Sequence, residues 1–370
     1  MQNKKKTLEL AGKIFQEAIH GDYRARGVMQ EVVTEGYSEY LTEAISTSDV
    51  LGAFNKTVTQ TVLAQYKPEE MVWRKIAKRN VVEDFKLQEF VEFEWDNDLL
   101  VGEAHGIEVP SGSLARVPEL TEYPTFRYQA AAKQFKIHKS GARLPFSWEW
   151  VINGEWARIG SIPEEMVRKA NRTEESEAVR AFVGTTGPRS DVFSGVTAAD
   201  TKPLTFDNLG LAKTAVRKRK VNGRNVTVGK FALVVPPALE EVAKQILSIT
   251  TYELTDGNKK YTQTAGNGDI ELVVMPALNW VDKSAKADSS WYLLPVGGDD
   301  GTRVSILQNF LRRHETPELR ISNATGLYVG GGAVPGMEGS LLNDDIEYRI
   351  RHVVTGFTLN SDAMYASVPA

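Results

Sequence analysis

The chain has 370 residues, 42% of them hydrophobic and 25% charged, enough for two or three packed units with a sizeable core. A formal net charge of -4 carries neither the overall basicity of a nucleic-acid binder nor the extreme acidity that points to a cationic partner. The absence of cysteine excludes disulfides, thiolate zinc sites, iron–sulfur ligation and cysteine nucleophiles together.

Lys4, Lys5 and Lys6 follow Met1, but Glu9, Lys13 and Glu17 interrupt the amphipathic segment after them, which lacks the apolar core of a signal peptide. No run is long enough to span a bilayer, so the expectation is a soluble protein made in a cytoplasm, with no membrane partner. Up to about Tyr66 the chain reads as short helices without a core of their own. Leu10, Ile14, Phe15, Ala18 and Ile19 make one apolar stripe; Val28, Val32, Val33, Tyr40, Leu41 and Ala44 suggest a second. Gly21, Gly27 and Gly36 weaken them, so these stripes must be buried on the body of the chain or on a neighbour. Lys67-Pro68-Glu69-Glu70 then reads as the start of a helix carrying Met71, Val72 and Ile76 inward.

A hairpin pattern follows. In Lys86–Trp95, Leu87, Val91, Phe93 and Trp95 share one face of a strand, while Gln88, Glu92 and Glu94 share the other. Phe126–His138 answers it, with Phe126 and Tyr128 alternating against Arg127 and Gln129. The phase then shifts through Ala130–Ala132, which suggests a bulge there. The tip between them holds Gly102, Gly106, Pro110, Gly112 and Pro118 together with Glu103, Glu108, Glu119 and Glu122. A connection of this length is usually functional, and a two-stranded arm is marginally stable by itself, so it is expected to lie on a partner. Trp95, Phe126 and Tyr128 on the strands and Glu103, Glu108 and Glu119 at the tip are therefore the candidate assembly residues.

Ser161 to Gly184 reads as one long helix. Ser161 and Glu164 have capping-box spacing, Pro163 falls in the first turn, and Gly184 is placed to end it. Ile162, Met166, Val167, Ala170, Val179, Phe182 and Val183 form its apolar stripe. Beyond the Gly187-Pro188 and Lys202-Pro203 loops, Asp207 opens a helix bearing Leu209, Ala212 and Val216. Phe231–Val235 is a buried strand, Ala238–Leu247 a helix, and Glu271–Met275 and Trp291–Val296 two more strands, which makes a compact α/β unit. Arg303–Leu311, Glu318–Ser322 and Asp345–His352 are strands; in the last, Ile346, Tyr348 and Ile350 face one way and Glu347, Arg349 and Arg351 the other. Gly330–Gly332 and Pro335-Gly336 mark a flexible loop before it.

Chemistry is weakly represented. His314-Glu315-Thr316-Pro317-Glu318 has half of a zinc-protease pattern, but the second histidine is missing and Pro317 opposes a helix. Thr227-Val228-Gly229-Lys230 lacks the glycine spacing of a phosphate loop, and Asp96-Asn97-Asp98 the ligand spacing of a calcium loop. Arg217-Lys218-Arg219-Lys220 is a basic run that reads better as a solvated helix end than as a nucleic-acid contact. No catalytic, metal or cofactor-binding residues are assigned, and the chain is not read as an enzyme.

The order of elements resembles the major capsid proteins of tailed bacteriophages, the Hong Kong 97-type fold. The resemblance is carried by Val81-Val82-Glu83-Asp84-Phe85, the helix Ile162–Val183, the strand Phe231–Pro236, Trp291-Tyr292-Leu293-Leu294, Phe310–Arg320 with Pro317, and Asp344–His352 with Gly356. It implies an α+β fold with an N-terminal arm (1–67), an extended-loop region (68–140, its hairpin at about 85–138), a peripheral domain with a long spine helix (141–204 and 301–370) and an α/β axial domain (205–300). It further implies a head protein that assembles as pentamers and hexamers into an icosahedral virion shell in the bacterial cytoplasm, enclosing double-stranded DNA. The partners it brings are a portal protein, a decoration protein and packaged DNA touched without sequence preference. Scaffolding is expected as a separate protein, because only about 65 residues precede the body. A wall that is not basic suits DNA driven in by a motor. Two alternatives remain open here: an encapsulin-like compartment shell, and a soluble oligomeric α/β enzyme.

Overall fold

The computed structural model describes residues 13–14, 17–18, 22, 24–25, 66–67, 70–101, 117, 119–120, 123, 125–221, 224–249, 251–256, 259–264, 268–296, 304–322, 326–327, 329–330, 334 and 339–369. In chain order its main elements are β1 (Lys78–Val82), β2 (Gln88–Val101), β3 (Thr125–Phe135), β4 (Lys139–Ser147), α1 (Trp156–Arg180), α2 (Phe206–Lys218), β5 (Phe231–Val235), α3 (Glu240–Ser248), β6 (Ile270–Val274), β7 (Trp291–Pro295), β8 (Ile306–Leu311), β9 (Glu318–Ile321), β10 (Asp345–Thr358) and β11 (Tyr365–Ser367). This is the α+β class expected. Of the apolar stripes foreseen before Tyr66, the described residues hold only Ile14 and Ala18, both helical and the second fully buried; the rest of those stripes and most of the glycine loop near 330 lie outside them.

The chain divides into two compact units, one of residues 1–70, 139–173 and 313–353, the other of residues 71–138, 174–312 and 354–370. In the first unit, β10 is the central strand of an antiparallel sheet, flanked by β9 (Leu319 opposite Ile350) and β4 (Phe146 opposite Ile346). The alternation predicted for β10 is observed: Ile346, Tyr348 and Ile350 are buried, and Arg349 is exposed. Gly141 lets β4 come close, since a Cβ there would stand 2.6 Å from the Ile350 carbonyl oxygen. The first part of α1 buries Ile159, Ile162, Met166, Val167 and Ala170, the i, i+3, i+4 stripe of an amphipathic helix.

That helix starts five residues earlier than the cap pattern suggests. Pro163 sits inside it, seven residues after Trp156, and Ser161 Oγ donates to the Arg158 carbonyl at 2.8 Å instead of capping an N-terminus. An internal proline leaves the carbonyl four residues back without its helical donor and costs about 3 kcal/mol. Burial of Ile159, Ile162, Met166 and Val167 on the same stripe, at roughly 1.5–3 kcal/mol per large side chain, more than offsets this. Nor does Gly184 end the helix. The last helical residue is Arg180, and Gly184 belongs to a two-residue ribbon with Gly187-Pro188. Other groups satisfy the terminal carbonyls: Arg189 donates to Arg180 O at 3.0 Å and Thr358 Oγ1 to Ala181 O at 2.6 Å. On the exposed face Glu165 pairs with Arg168 at 3.0 Å.

Besides two-stranded ribbons, the second unit contains two larger sheets among the described residues. In one, β1 runs parallel to β8, and β8 is antiparallel to the end of β10 (Phe310 opposite Val354). In the other the order is β6-β5-β7-β11, with β6 parallel to β5 and the remaining neighbours antiparallel. Its core is Leu209, Ala212 and Val216 of α2, Ala243 and Ile246 of α3, and Phe231, Leu233, Val235, Trp291, Leu293 and Tyr365 of the sheet. Two expectations are corrected within this unit. The helix foreseen from Lys67 is a single 3-10 turn, Val72–Lys75. Strand β11 was not foreseen, because three residues are too few for periodicity to register.

The end of α1 fixes the crossing of β10. A Cβ at Gly356 would lie 1.9 Å from the Glu177 carbonyl oxygen, a distance no side chain can occupy. Gly356→Ala should therefore force the strand off the helix and lower stability by about 3 kcal/mol, read by denaturant melts. Phe182 is fully buried and meets the Tyr292 ring edge-on at 5.2 Å. Phe182→Asp should cost roughly 4 kcal/mol and yield insoluble protein, whereas Lys169→Ala on the exposed face should melt like the unaltered chain.

Candidate assembly site

The hairpin begins at a root fixed by several contacts within the second unit. Phe135, at the end of β3, stacks on Phe357 with ring centroids 4.9 Å apart. The His138 amide donates to Thr355 Oγ1 at 2.9 Å, and Lys133 Nζ donates to the Leu359 carbonyl. Before β2, Glu83 pairs with Arg312, and Gln88 donates to Asp84 Oδ1 at 2.8 Å. Further back, the Val72–Lys75 turn is held by two consecutive glutamates of α1. The Val72 and Trp73 amides donate to Glu175 at 2.7 and 3.2 Å, and the Trp73 indole donates to Glu174 Oε1 at 3.0 Å.

From this root β2 and β3 pair only with each other among the described residues. Trp95 stands opposite Tyr128 and Phe126 opposite Leu100, so three of the expected assembly residues share one stretch of ribbon. Only the backbone of that stretch is described. The register shift lies between Asp96 and Leu100 on β2, not at Ala130–Ala132, where pairing is regular. The polar Asp96-Asn97-Asp98 run, with short side chains that suit irregular backbone, accounts for the place of the bulge. Glu119 is exposed in a turn next to Leu120 at φ 62, and Tyr123 is largely exposed. Glu103 and Glu108 lie outside the described residues.

Sequence reasoning did not single out two features of the root. Val81, Phe85, Leu87 and Phe90 leave an apolar strip at its surface, each between 39 and 58% exposed. The glutamate pair was also missed, although a signal existed: Glu174 falls four residues from both Ala170 and Ala178, on the buried phase of α1. Burial is the main cause that pushes the Glu175 carboxyl up to about 7; the neighbouring Glu174 charge adds to it, and the two amide hydrogen bonds oppose it.

The chemical motifs dissolve into structure. His314 and Arg351 both pair with Glu318, which opens β9 rather than lying on a metal-binding helix. Burial pushes the Glu318 carboxyl up, but the His314 and Arg351 hydrogen bonds outweigh it and hold it below the usual range. Within the basic run, Arg217 bonds Asp269 at 2.7 Å and Arg219 donates to the Asp362 carbonyl at 2.9 Å, so half of it is spent inside the subunit. Among the described residues no group of three or more potential ligands could hold a metal, and no helix is long and apolar enough to cross a membrane.

Residues 130–367 match the family model for phage capsid protein. The comparison with curated proteins finds no match. Solved structures similar to this chain include that of Gordonia phage Cozz, at 15% identity over 89% of this chain and 96% of that one, with a TM-score of 0.45. Microbacterium phage Oxtober96 is similar at 11% identity over 81 and 91%, with a TM-score of 0.46. An encapsulin complex from Synechococcus elongatus is similar at 10% over 85 and 88%, with a TM-score of 0.41. Assignment rests on the family model, which spans well over half of the sequence and reaches from the third strand to the last: the chain belongs to the phage capsid protein family, and its work is to form a capsid shell.

Proposed function

We propose that the subunit has the Hong Kong 97-type arrangement and builds a closed icosahedral head around the double-stranded DNA of a tailed phage. The observation that carries this reading is the hairpin. Strands β2 and β3 extend well past their root without a third strand among the described residues. A two-stranded ribbon of that kind is marginal in water and gains stability by lying on another surface. In a shell the surface is a second copy of the subunit, and a head-to-tail contact of this sort closes into rings. Trp95, Phe126 and Tyr128 would then meet the neighbour along the ribbon, and Glu103, Glu108 and Glu119 would meet its cations at the tip. Residues 205–300 would be the axial domain, gathered around the five- and six-fold axes. A scaffolding protein, a portal and a decoration protein complete the partners proposed, and assembly would take place in the host cytoplasm.

Sedimentation of the purified protein, with and without a co-expressed scaffold, should show particles far larger than a dimer, and negative-stain microscopy should show closed shells. Monomers and dimers alone would sink the proposal; shells carrying a protein cargo in place of DNA would make the compartment reading the right one. Residues 102–119 are rich in glycine, proline and acids and have little to contribute to a core. Their replacement by an Asn-Gly turn should leave circular dichroism and melting unchanged while shells are lost or disordered. Each exposed ion pair is worth only about 0–1 kcal/mol, but every copy in the lattice repeats the loss. Normal, equally stable shells would show the tip to be dispensable.

A further inference from the structure

Three arginines far apart in the chain stand in one row across the sheet of the first unit. Arg349, on the central strand β10, lies opposite Arg320 of β9 on one side and Arg143 of β4 on the other. Neighbouring strands are about 4.8 Å apart, so the row is roughly 10 Å long. All three side chains are exposed, and Arg351, two residues along β10, shares their face. Two carboxylates stand among them. Glu347 takes Arg143 at 3.3 Å, while Glu318 takes Arg351 and His314 and lies 3.9 Å from Arg320. Arg349, at the centre, has no carboxylate partner among the described residues. Four guanidiniums against two carboxylates leave two positive charges in excess, on a chain whose formal net charge is -4. No basic run in the sequence announces this face, because the sheet register alone brings Arg143, Arg320 and Arg349 together.

We propose that this sheet face binds the phosphate backbone of double-stranded DNA, without regard to sequence, where the enclosed genome touches the shell. Each guanidinium presents a fork of donors that matches a phosphate, which a lysine cannot do. The ion pairs already on the face are solvent-exposed and weak, so a phosphate can take over Arg143 or Arg320. Gly141 lies opposite Arg351 and Pro145 opposite Glu347, so β4 adds little height beside the row. The result is a broad, low surface suited to a duplex. No aromatic side chain shares the face to stack on a base, and contacts to phosphate alone carry no sequence information. An excess of two charges per subunit is small. It holds DNA loosely and reversibly, which is compatible with DNA being driven in. The inference rests on the reading that the shell encloses DNA.

The test is retention of the full-length protein on a surface densely coated with random-sequence duplex DNA, read against salt. With two excess charges, affinity should fall about twentyfold between 20 and 100 mM salt. Arg349→Gln leaves one excess charge and should reduce that fall to about fourfold, and Arg320→Gln should do the same. Arg349→Lys should keep the slope of the unaltered chain. Lys244→Gln removes the same charge from α3, in the other unit, and should change nothing. The inference is overturned if the unaltered chain is not retained at 20 mM salt, or if Lys244→Gln costs as much as Arg349→Gln. It is overturned equally if a peptide of residues 100–124 is captured in preference to the duplex, which would make the face a contact between copies. Should Arg349→Gln not fold, as read by circular dichroism, Arg320→Gln against Lys244→Gln decides. Shell formation is scored separately by microscopy. Normal shells from subunits that ignore DNA would sink this inference alone, whereas subunits that hold DNA and never close would sink the reading of an enclosing shell.

Discussion

The last two turns of α1 are the constraint on which the second unit depends. Within eight residues Glu174 receives Trp73 and Gln308, Glu175 receives the Val72 and Trp73 amides, Glu177 lies against Gly356, and Ala181 accepts from Thr358. Strand β8, the end of β10 and the turn before β1 therefore all refer to one short helical surface. The closest approach is backbone against backbone, which leaves no side chain to yield if the crossing shifts. The bonds from Trp73 and Gln308 to Glu174 are buried, so breaking either leaves an unpaired polar group in the interior, a cost of about 1–3 kcal/mol.

Much of this was legible before any coordinates. The apolar stripe of α1, the continuous apolar runs of β5 and β7, and the alternation in β10 are strong periodic signals, and each matches an observed element. What failed were ends and local irregularities. A capping pattern at Ser161 lost to the burial of Ile159, which prolongs the helix through a proline. The alanine run at 130–132 shifts hydrophobic phase without bulging, because alanine suits either face of a ribbon and the polar Asp96–Asp98 segment deforms more readily. Strand β11 escaped because its pairing with β7 is set by residues more than seventy positions away. The candidate assembly residues were legible as a type, aromatic on strands and acidic at a tip. The docking of the hairpin root was not, since it is made of backbone amides, carbonyls and a glutamate pair.

A subunit of this design separates holding from reaching. The root is fixed by short hydrogen bonds and a stacked phenylalanine pair, all inside one unit. The ribbon beyond it offers backbone that is paired on one side only, and the strip of Val81, Phe85, Leu87 and Phe90 remains at the surface where the two meet. Elsewhere polar groups serve the same holding role: Glu318 pairs with His314 and Arg351 and steadies β9 against β10.

Strand β11 bears on how the chain is made. Tyr365, Ala366 and Ser367 are all buried and pair with Leu293, Tyr292 and Trp291. They leave the ribosome after every other described strand. Until they do, β7 is the edge of its sheet and presents a row of open amides and carbonyls between apolar side chains, a template for pairing with any nascent neighbour. Completion of this sheet thus waits for a segment made about seventy residues after β7. Strand β11 closes an edge that would otherwise favour disordered aggregation over ordered assembly.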